Sequence, residues 1–211
     1  GLLPNEGASI LGIVGVLALV SVVVTWRTRA QLDAYLRDQW PYVLFTEVLF
    51  AAAFAAAAVL RSYVPDIGHG EKPMNFAFLN ALVRADSFPP QDPWLSGHTL
   101  SYYYFGHLIV AGLTKVTGVE SSVAFNLGGV LLVALAVVNV FALVYNLVLG
   151  RGRVGRALVF GLVAVVLLAI LSNLEGLFEL LAAHGVGSKA FYDALGISGL
   201  DGPRSTDAWY P

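Results

Sequence analysis

Long apolar runs alternate with shorter polar segments along this chain, and they predict membrane-spanning helices. The runs, which we name helices A to E, cover residues 8–26, 42–60, 101–116, 122–149 and 157–172. About twenty residues at 1.5 Å per residue approach the thickness of a bilayer core. The pattern therefore predicts an all-α integral membrane fold with about five transmembrane helices.

Two segments outside these runs, residues 27–41 and residues 184–211, have different predicted structures. Residues 27–41, between helices A and B, space Leu32 and Leu36 helically among charges, which is typical of a helix lying on the membrane surface. Pro41 follows in a position that suits the first turn of helix B. Residues 184–211 accumulate Gly, Ser and Pro, so we expect a polar tail there without a further span.

The longest polar segment, residues 61–99, separates helix B from helix C. Within it, Asn75–Arg84 has apolar residues at helical spacing but is too short to span, which predicts a helix at the membrane interface. Pro89 and Pro90 end this helix, and residues 91–94 read as a tight turn. A polar insert between apolar helices is where we expect a membrane protein to keep its chemistry.

Composition supports the membrane assignment and excludes several kinds of site. The 211 residues are 57% hydrophobic and 12% charged, with a mean hydropathy of +0.74. A soluble domain carries roughly a quarter charged residues. The formal net charge of −2 argues against a nucleic-acid partner. The absence of cysteine from the sequence excludes disulfides, thiolate metal sites and cysteine nucleophiles.

Positive charges give conflicting signals about membrane orientation. Arg27, Arg29 and Arg37 predict a cytoplasmic A–B connector, which would put residues 61–99 outside. The same count of spans leaves the arginines of residues 151–156 outside as well, against the positive-inside rule. We expect the 61–99 loop to be extracytoplasmic, because the A–B connector is short and the loop has few cations.

An acidic cluster follows helix B. Asp66, His69 and Glu71 lie within six residues of one another. Carboxylates suit Mg²⁺ or Mn²⁺, and imidazole tolerates Mn²⁺, so the three could hold a divalent cation. The spacing matches no strong metal motif. A carboxylate acting directly as a base, or ordinary solvated charges, are the alternatives.

Cations and histidines in and beside the loop are further candidates. Lys72 and Arg84, with Arg61, could hold a phosphate at the membrane surface, or could simply extend to the interface. His98 and His107 could be ligands or acids, although a single histidine at the start of a helix is more often only hydrogen-bonded.

The remaining polar candidates each have a plainer explanation. Tyr102, Tyr103 and Tyr104 could line a sugar-binding groove, or could form an interfacial aromatic belt. Glu47 is the one charge inside helix B, where it could serve as a proton or ligand site or be a neutral hydrogen-bonding group. Asp92 fits a turn, and it is also a candidate for binding substrate.

The run EKPMNFAFLNALVRADSFPPQDPWLSGHTLSYYYFG resembles the YYY family of large, very hydrophobic membrane proteins from Chloroflexi-type bacteria and archaea, a domain of unknown function. The family pattern of E-K-P-M-D-F-A-F-L-N-A, F-P-P-x-D-P-W-x-(S/A)-G and Y-Y-Y-F-G is matched at residues 71–81, 88–97 and 102–106. Asn75 departs from it, since the family has an aspartate there, which weakens any role for an ionised group at this position.

The resemblance implies a fold and an activity. Family members are several times longer, so we expect these residues to be an N-terminal portion of a membrane protein of the bacterial or archaeal cytoplasmic membrane. The family is similar to GT-C glycosyltransferases, which transfer a sugar from a polyprenyl phosphate. By that likeness Glu71 or Asp66 would be the catalytic base. The residues expected to bind substrate are Lys72, Arg84, Asp92, His98, Tyr102, Tyr103 and Tyr104.

Two other functions stay open at this stage. The small-residue face of helix B favours a non-catalytic scaffold or accessory subunit of a larger membrane complex. Glu47 and the asparagines inside helix D would suit a transporter. In each case the partners would be membrane lipid and, for the complex, other membrane subunits.

Overall fold

The computed structural model describes residues 4–68, 70–150, 153–171, 177–178, 181–182 and 184–196. The named elements of these residues are all helices: α1 (Gly7–Tyr63), α2 (Lys72–Arg84), α3 (Phe105–Thr117), α4 (Ser121–Leu149), α5 (Val154–Leu171) and α6 (Lys189–Ala194). The all-α prediction is therefore confirmed. By length and composition α1 and α4 could each cross a membrane, and α3 and α5 are shorter apolar helices, so five spans remain a prediction.

Helix α1 joins the regions predicted as helix A, connector and helix B. The predicted breaks near residue 26 and at Pro41 are absent, and Pro41 lies inside a helix of 57 residues. Residues 27–40 are mostly good helix formers, so the helix continues through the charged segment. A proline inside a helix removes one backbone hydrogen bond and favours a bend rather than a helix start.

Helix α1 is strongly bent. A methyl group on Gly7 would lie 3.7 Å from the Lys115 carbonyl oxygen, and Arg61 Nε lies 2.8 Å from Asn126 Oδ1. Because residues 115 and 126 are joined by a short connection, Gly7 and Arg61 are within about 50 Å of each other, whereas a straight helix would separate them by about 80 Å. Both ends of α1 therefore meet the same small group of helices.

Helices α2 and α3 pack side by side and run in the same direction. Phe78 in the middle of α2 has its ring centroid 6.1 Å from that of His107 in the first turn of α3. At the other end, Lys115 Nζ lies 3.2 Å from the carbonyl oxygen of Ala85. A helix lying along the membrane and a helix crossing it would meet at a large angle. The side-by-side packing therefore favours one common orientation for α2, the predicted interfacial helix, and α3, the predicted span.

The interface between α2 and α3 forms a buried apolar cluster. Leu79, Leu82 and Ala111 are its fully buried members, with Leu82 0% exposed. Several half-buried apolar side chains surround them, including Phe76, Val83, Phe88, Tyr104, Leu108, Val110 and Phe125. This cluster fixes α2 against α3 and so determines where the start of α2 lies.

The segment from α2 to α3 contains a narrow turn. The Leu100 amide donates to the Pro90 carbonyl at 2.9 Å, and the Asp92 amide donates to the His98 carbonyl at 2.9 Å. Helix α3 begins at Phe105 rather than at the predicted residue 101, so the three tyrosines precede the helix. Its C-terminus is closed by Gly118 in the left-handed conformation, which glycine adopts readily.

The chain divides into two compact units, Gly1–Val138 and Asn139–Pro211, with the boundary inside α4. In the second unit, α4 and α5 approach closely at Gly161. A Cβ atom there would lie 2.8 Å from the Phe141 ring, so glycine is required for this contact. Phe141 also stacks on Tyr145, with ring centroids 5.7 Å apart.

Candidate functional site

The acidic segment that follows α1 is exposed and locally ordered. The Asp66 carboxylate accepts a hydrogen bond from the Gly68 amide at 3.0 Å, which is the bond of an Asx turn. Glu71 is exposed and occupies the position before α2, without a side-chain bond to the helix amides. Two exposed carboxylates thus precede the start of α2.

A guanidinium and an amide hold this segment in place. Arg61 Nη1 donates to the Val64 carbonyl at 2.9 Å, and Nη2 donates to the Asp66 carbonyl at 3.2 Å. Asn126, in the second turn of α4, receives Arg61 Nε and donates its own amide to the Pro65 carbonyl at 3.1 Å. Residues 64–66 are therefore tied to both α1 and α4.

A cavity of about 850 Å³ lies beside this segment, among α1, α2, α3 and α4. Its walls are predominantly apolar. Its polar and charged lining residues are Arg61, Lys72, Asn75, His107 and Asn126. The cavity combines a large, mostly apolar lining with two cations, a chemistry that matches an amphiphile with an anionic head.

Lys72 is the cation best placed to meet such a ligand. Its side chain is half-buried in the first turn of α2, and it lines the cavity. Arg61 lines the cavity too, but three of its N–H groups are already used on protein acceptors. Asn75 also faces the cavity, so the position where the YYY pattern has an aspartate offers a neutral amide here.

Arg84 does not join Lys72. The two residues are the first and last of α2, which puts them about 18 Å apart along the helix. Arg84 is exposed, and it is not among the residues that line the cavity. Substrate binding by Arg84 stays a prediction, at a position separate from that of Lys72.

Asp92 and His98 lie together in the narrow turn. The Asp92 carboxylate accepts from the Trp94 amide at 2.8 Å and from the Leu95 amide at 3.0 Å, so it stabilises the turn. His98 is exposed on the same turn. Neither residue lines the cavity. Substrate binding by this pair stays a prediction.

The three tyrosines have different environments. Tyr103 is 88% exposed, whereas Tyr104 packs against the cluster between α2 and α3. Tyr102 lies next to Phe78, with ring centroids 5.1 Å apart. Tyr102 is 46% exposed and its ring also contacts that of Tyr103, at 5.4 Å between centroids. Tyr103 therefore has the largest exposed surface of the three for stacking on a sugar.

The predicted metal site of Asp66, His69 and Glu71 lies partly outside the described residues, so it stays a prediction. His69 lies outside those residues. Among the residues that are described, no group of three or more acidic or histidine side chains is arranged to hold a metal ion. Glu47 is exposed on α1 and does not line the cavity, so it lies apart from the other candidates.

Two residues of the site, His107 and Asn126, were not among those expected to bind substrate. His107 lines the cavity, and its buried Nδ1 has no hydrogen-bond partner within the described part of the chain. Asn126 was expected only as one of the asparagines inside helix D, which would suit a transporter. The positions of both residues in the sequence could have indicated a role in the site. His107 lies in the first turn of its helix, and Asn126 lies near the start of an otherwise apolar run.

The opposite end of α2 is closed by buried polar contacts. Asn5, 7% exposed, donates its side-chain amide to the carbonyls of Leu82 at 2.9 Å and Ala85 at 2.8 Å. Lys115 Nζ donates to the carbonyls of Ala85 and Asn5. The last carbonyls of a helix have no partner within the helix, and these side chains supply one.

Apolar helices around a cavity with a polar margin define the class: this is an all-α membrane protein. The chain belongs to the family described as "Uncharacterized membrane protein (DUF2298)", whose sequence model matches residues 1–210. No curated protein and no solved structure matches the chain significantly. Membrane lipid is accordingly a contact of this protein.

Proposed function

We propose that this protein is a membrane glycosyltransferase of the GT-C type that takes its sugar from a polyprenyl-phosphate donor. The observation that carries the proposal is the apolar cavity with Lys72 at its margin and Asp66 and Glu71 nearby. A polyprenyl phosphate sugar has an apolar chain, an anionic group and a sugar, in that order. The site offers a complementary surface to each part.

The roles of the residues follow from their chemistry. Lys72 holds the phosphate by a charge-assisted hydrogen bond. Glu71 or Asp66 takes the proton of an acceptor hydroxyl, and the freed oxygen attacks the anomeric carbon of the sugar. The bond between that carbon and the phosphate oxygen breaks, and polyprenyl phosphate leaves. Tyr103 stacks on a sugar ring.

Binding is the first experiment, because it needs no knowledge of the acceptor. Purified protein in detergent is titrated with a polyprenyl monophosphate, and the bound lipid is counted by native mass spectrometry. Lys72→Gln is expected to weaken binding roughly tenfold or more, the effect of losing a hydrogen bond to a charged group. Arg37→Gln, on an exposed part of α1, is the control and keeps the original affinity.

Transfer is the second experiment. With a radiolabelled polyprenyl-phosphate sugar, Glu71→Gln or Asp66→Asn is expected to lower the rate by roughly a hundredfold or more, as removal of a general base does. Binding of the lipid phosphate should persist in the inactive variant. Full transfer in both variants would rule out the proposed base, and failure of the unaltered protein to bind the lipid would rule out the donor.

A subunit role in a larger membrane complex is a second candidate with one observation in its favour. Every side chain of residues 11–24 is exposed, so this part of α1 is covered by something other than the described chain. Lipid would cover it equally well. A cysteine at Val16, in a chain that otherwise has none, would crosslink to a neighbouring protein only if a subunit lies there.

A further inference from the structure

The end of α1 and the acidic segment are connected by an unusually complete set of hydrogen bonds. The carbonyl groups of residues 64, 65 and 66 are consecutive, and each accepts a hydrogen bond from Arg61 or Asn126. Three consecutive carbonyls bound by two side chains fix the path of the backbone. The segment begins where α1 ends, so without these side chains its carbonyls would need water or other partners.

The contact between Arg61 and Asn126 selects one orientation of the amide. Asn126 Oδ1 accepts from Arg61 Nε at 2.8 Å, which turns Nδ2 toward the Pro65 carbonyl at 3.1 Å. Each residue therefore holds the other in the position needed to bind the backbone. A planar guanidinium with donors in a fixed fork can serve three acceptors, whereas a lysine ammonium is a point charge on a flexible stem.

We propose that Arg61 and Asn126 form a positioning clamp for Asp66. This rests on the proposed function, in which Asp66 is one of the two candidate bases. The clamp binds the Asp66 carbonyl, while the Asp66 carboxylate receives the Gly68 amide on the other side. Backbone and side chain of the acid are thus both constrained, by Arg61 at the carbonyl and by the Gly68 amide at the carboxylate. Arg61 and Asn126 themselves line the cavity.

The clamp is tested through the mobility of the segment, which does not depend on catalysis. The chain has no cysteine, so Ile67→Cys places a single thiol within the segment and Ser96→Cys places one in the distant turn. The rate of reaction with N-ethylmaleimide is measured for each reporter in purified protein. Arg61→Lys and Asn126→Ala are compared with Asn146→Ala, a matched change in α4 whose amide donates to the Ala142 carbonyl of its own helix.

The expected result is selective. The thiol at position 67 reacts roughly five to ten times faster in Arg61→Lys and in Asn126→Ala, the factor for losing about one net hydrogen bond. The thiol at position 96 is unchanged, and Asn146→Ala alters neither. An unchanged rate at position 67, or an equal rise at both reporters, would overturn the clamp.

The purpose of the clamp is tested by combining variants. If it acts through Asp66, the transfer rate of the Asp66→Asn, Asn126→Ala double variant equals that of Asp66→Asn alone. Fully additive losses would overturn the positioning role. If the unaltered protein transfers no sugar, the proposed function fails, and the ratio of labelling rates at positions 67 and 96 still decides whether the clamp exists.

Discussion

The two ends of helix α2 differ in what surrounds their charges. At the C-terminal end, the carbonyls meet Asn5 and Lys115, both held between helices. At the N-terminal end, Glu71 is exposed and Lys72 borders a cavity. Both ends carry polar groups beside the same apolar cluster. Polar groups that are hydrogen-bonded to protein atoms stabilise the structure, whereas a polar group that lines a cavity is available to bind a ligand.

The largest effect is expected from the cluster that both ends share. Leu82→Ala should lower the free energy of unfolding by about 2–5 kcal/mol, because it opens a cavity at a fully buried position. Denaturation of the detergent-solubilised protein by SDS measures the change. Met74→Ala, a half-buried position near the open end, should cost clearly less. Equal costs would mean that the packing does not differ along α2.

The next effect is expected at the closed end. Lys115→Met keeps the apolar stem but removes the donor to the Ala85 and Asn5 carbonyls, which should cost about 1–3 kcal/mol. Lys72→Met is the matched change at the open end and should cost under about 0.5 kcal/mol. The same SDS titration compares them. A similar loss from both would remove the distinction between the two ends.

Asn5→Ala should have a smaller effect, about 1–2 kcal/mol, since its two amide bonds are neutral. Asn5 and Lys115 share the acceptor Ala85, so the double variant should lose less than the sum of the single losses. A double-mutant cycle in the thermal unfolding free energy measures this coupling. Strict additivity would show that the two residues act separately.

The smallest effect is expected from Glu71→Gln, at an exposed position without a cap bond. The free energy of unfolding should change by less than about 0.5 kcal/mol. If this variant is instead strongly destabilised, Glu71 has a structural role and any loss of transfer would have to be reinterpreted. A stable, lipid-binding but inactive variant would sharpen the contrast between the ends.

Local pattern was enough to predict the helical class. The apolar runs predicted helices where α3, α4 and α5 occur, and the polar insert contains Lys72, which lines the cavity. The pattern did not predict that α1 continues through its charged middle. The charges of residues 27–40 indicated a connector, whereas the helix propensity of the same residues keeps the segment helical. The pattern also could not show that Lys72 and Arg84, both expected to bind substrate, stand at opposite ends of one helix of 13 residues.

Partners distant in sequence could not be predicted at all. Arg61 and Asn126 are 65 positions apart, and Asn5 is 77 positions from Leu82. Nothing in the spacing of apolar residues selects these pairs, since each asparagine looks locally like a polar residue in or before a span. Asp92 is the reverse case, because its bonds to Trp94 and Leu95 are local, and a turn was among its predicted roles.

The contact between Lys115 and Asn5 has a consequence for how the protein is made. Asn5 cannot form this contact until Lys115, 110 positions later in the chain, has been synthesised. At roughly 5–20 residues per second this delay lasts several seconds or longer. During that time the start of α1 lacks the contacts that α2 and α3 later provide, and the completed α2–α3 pair binds Asn5 only at the end.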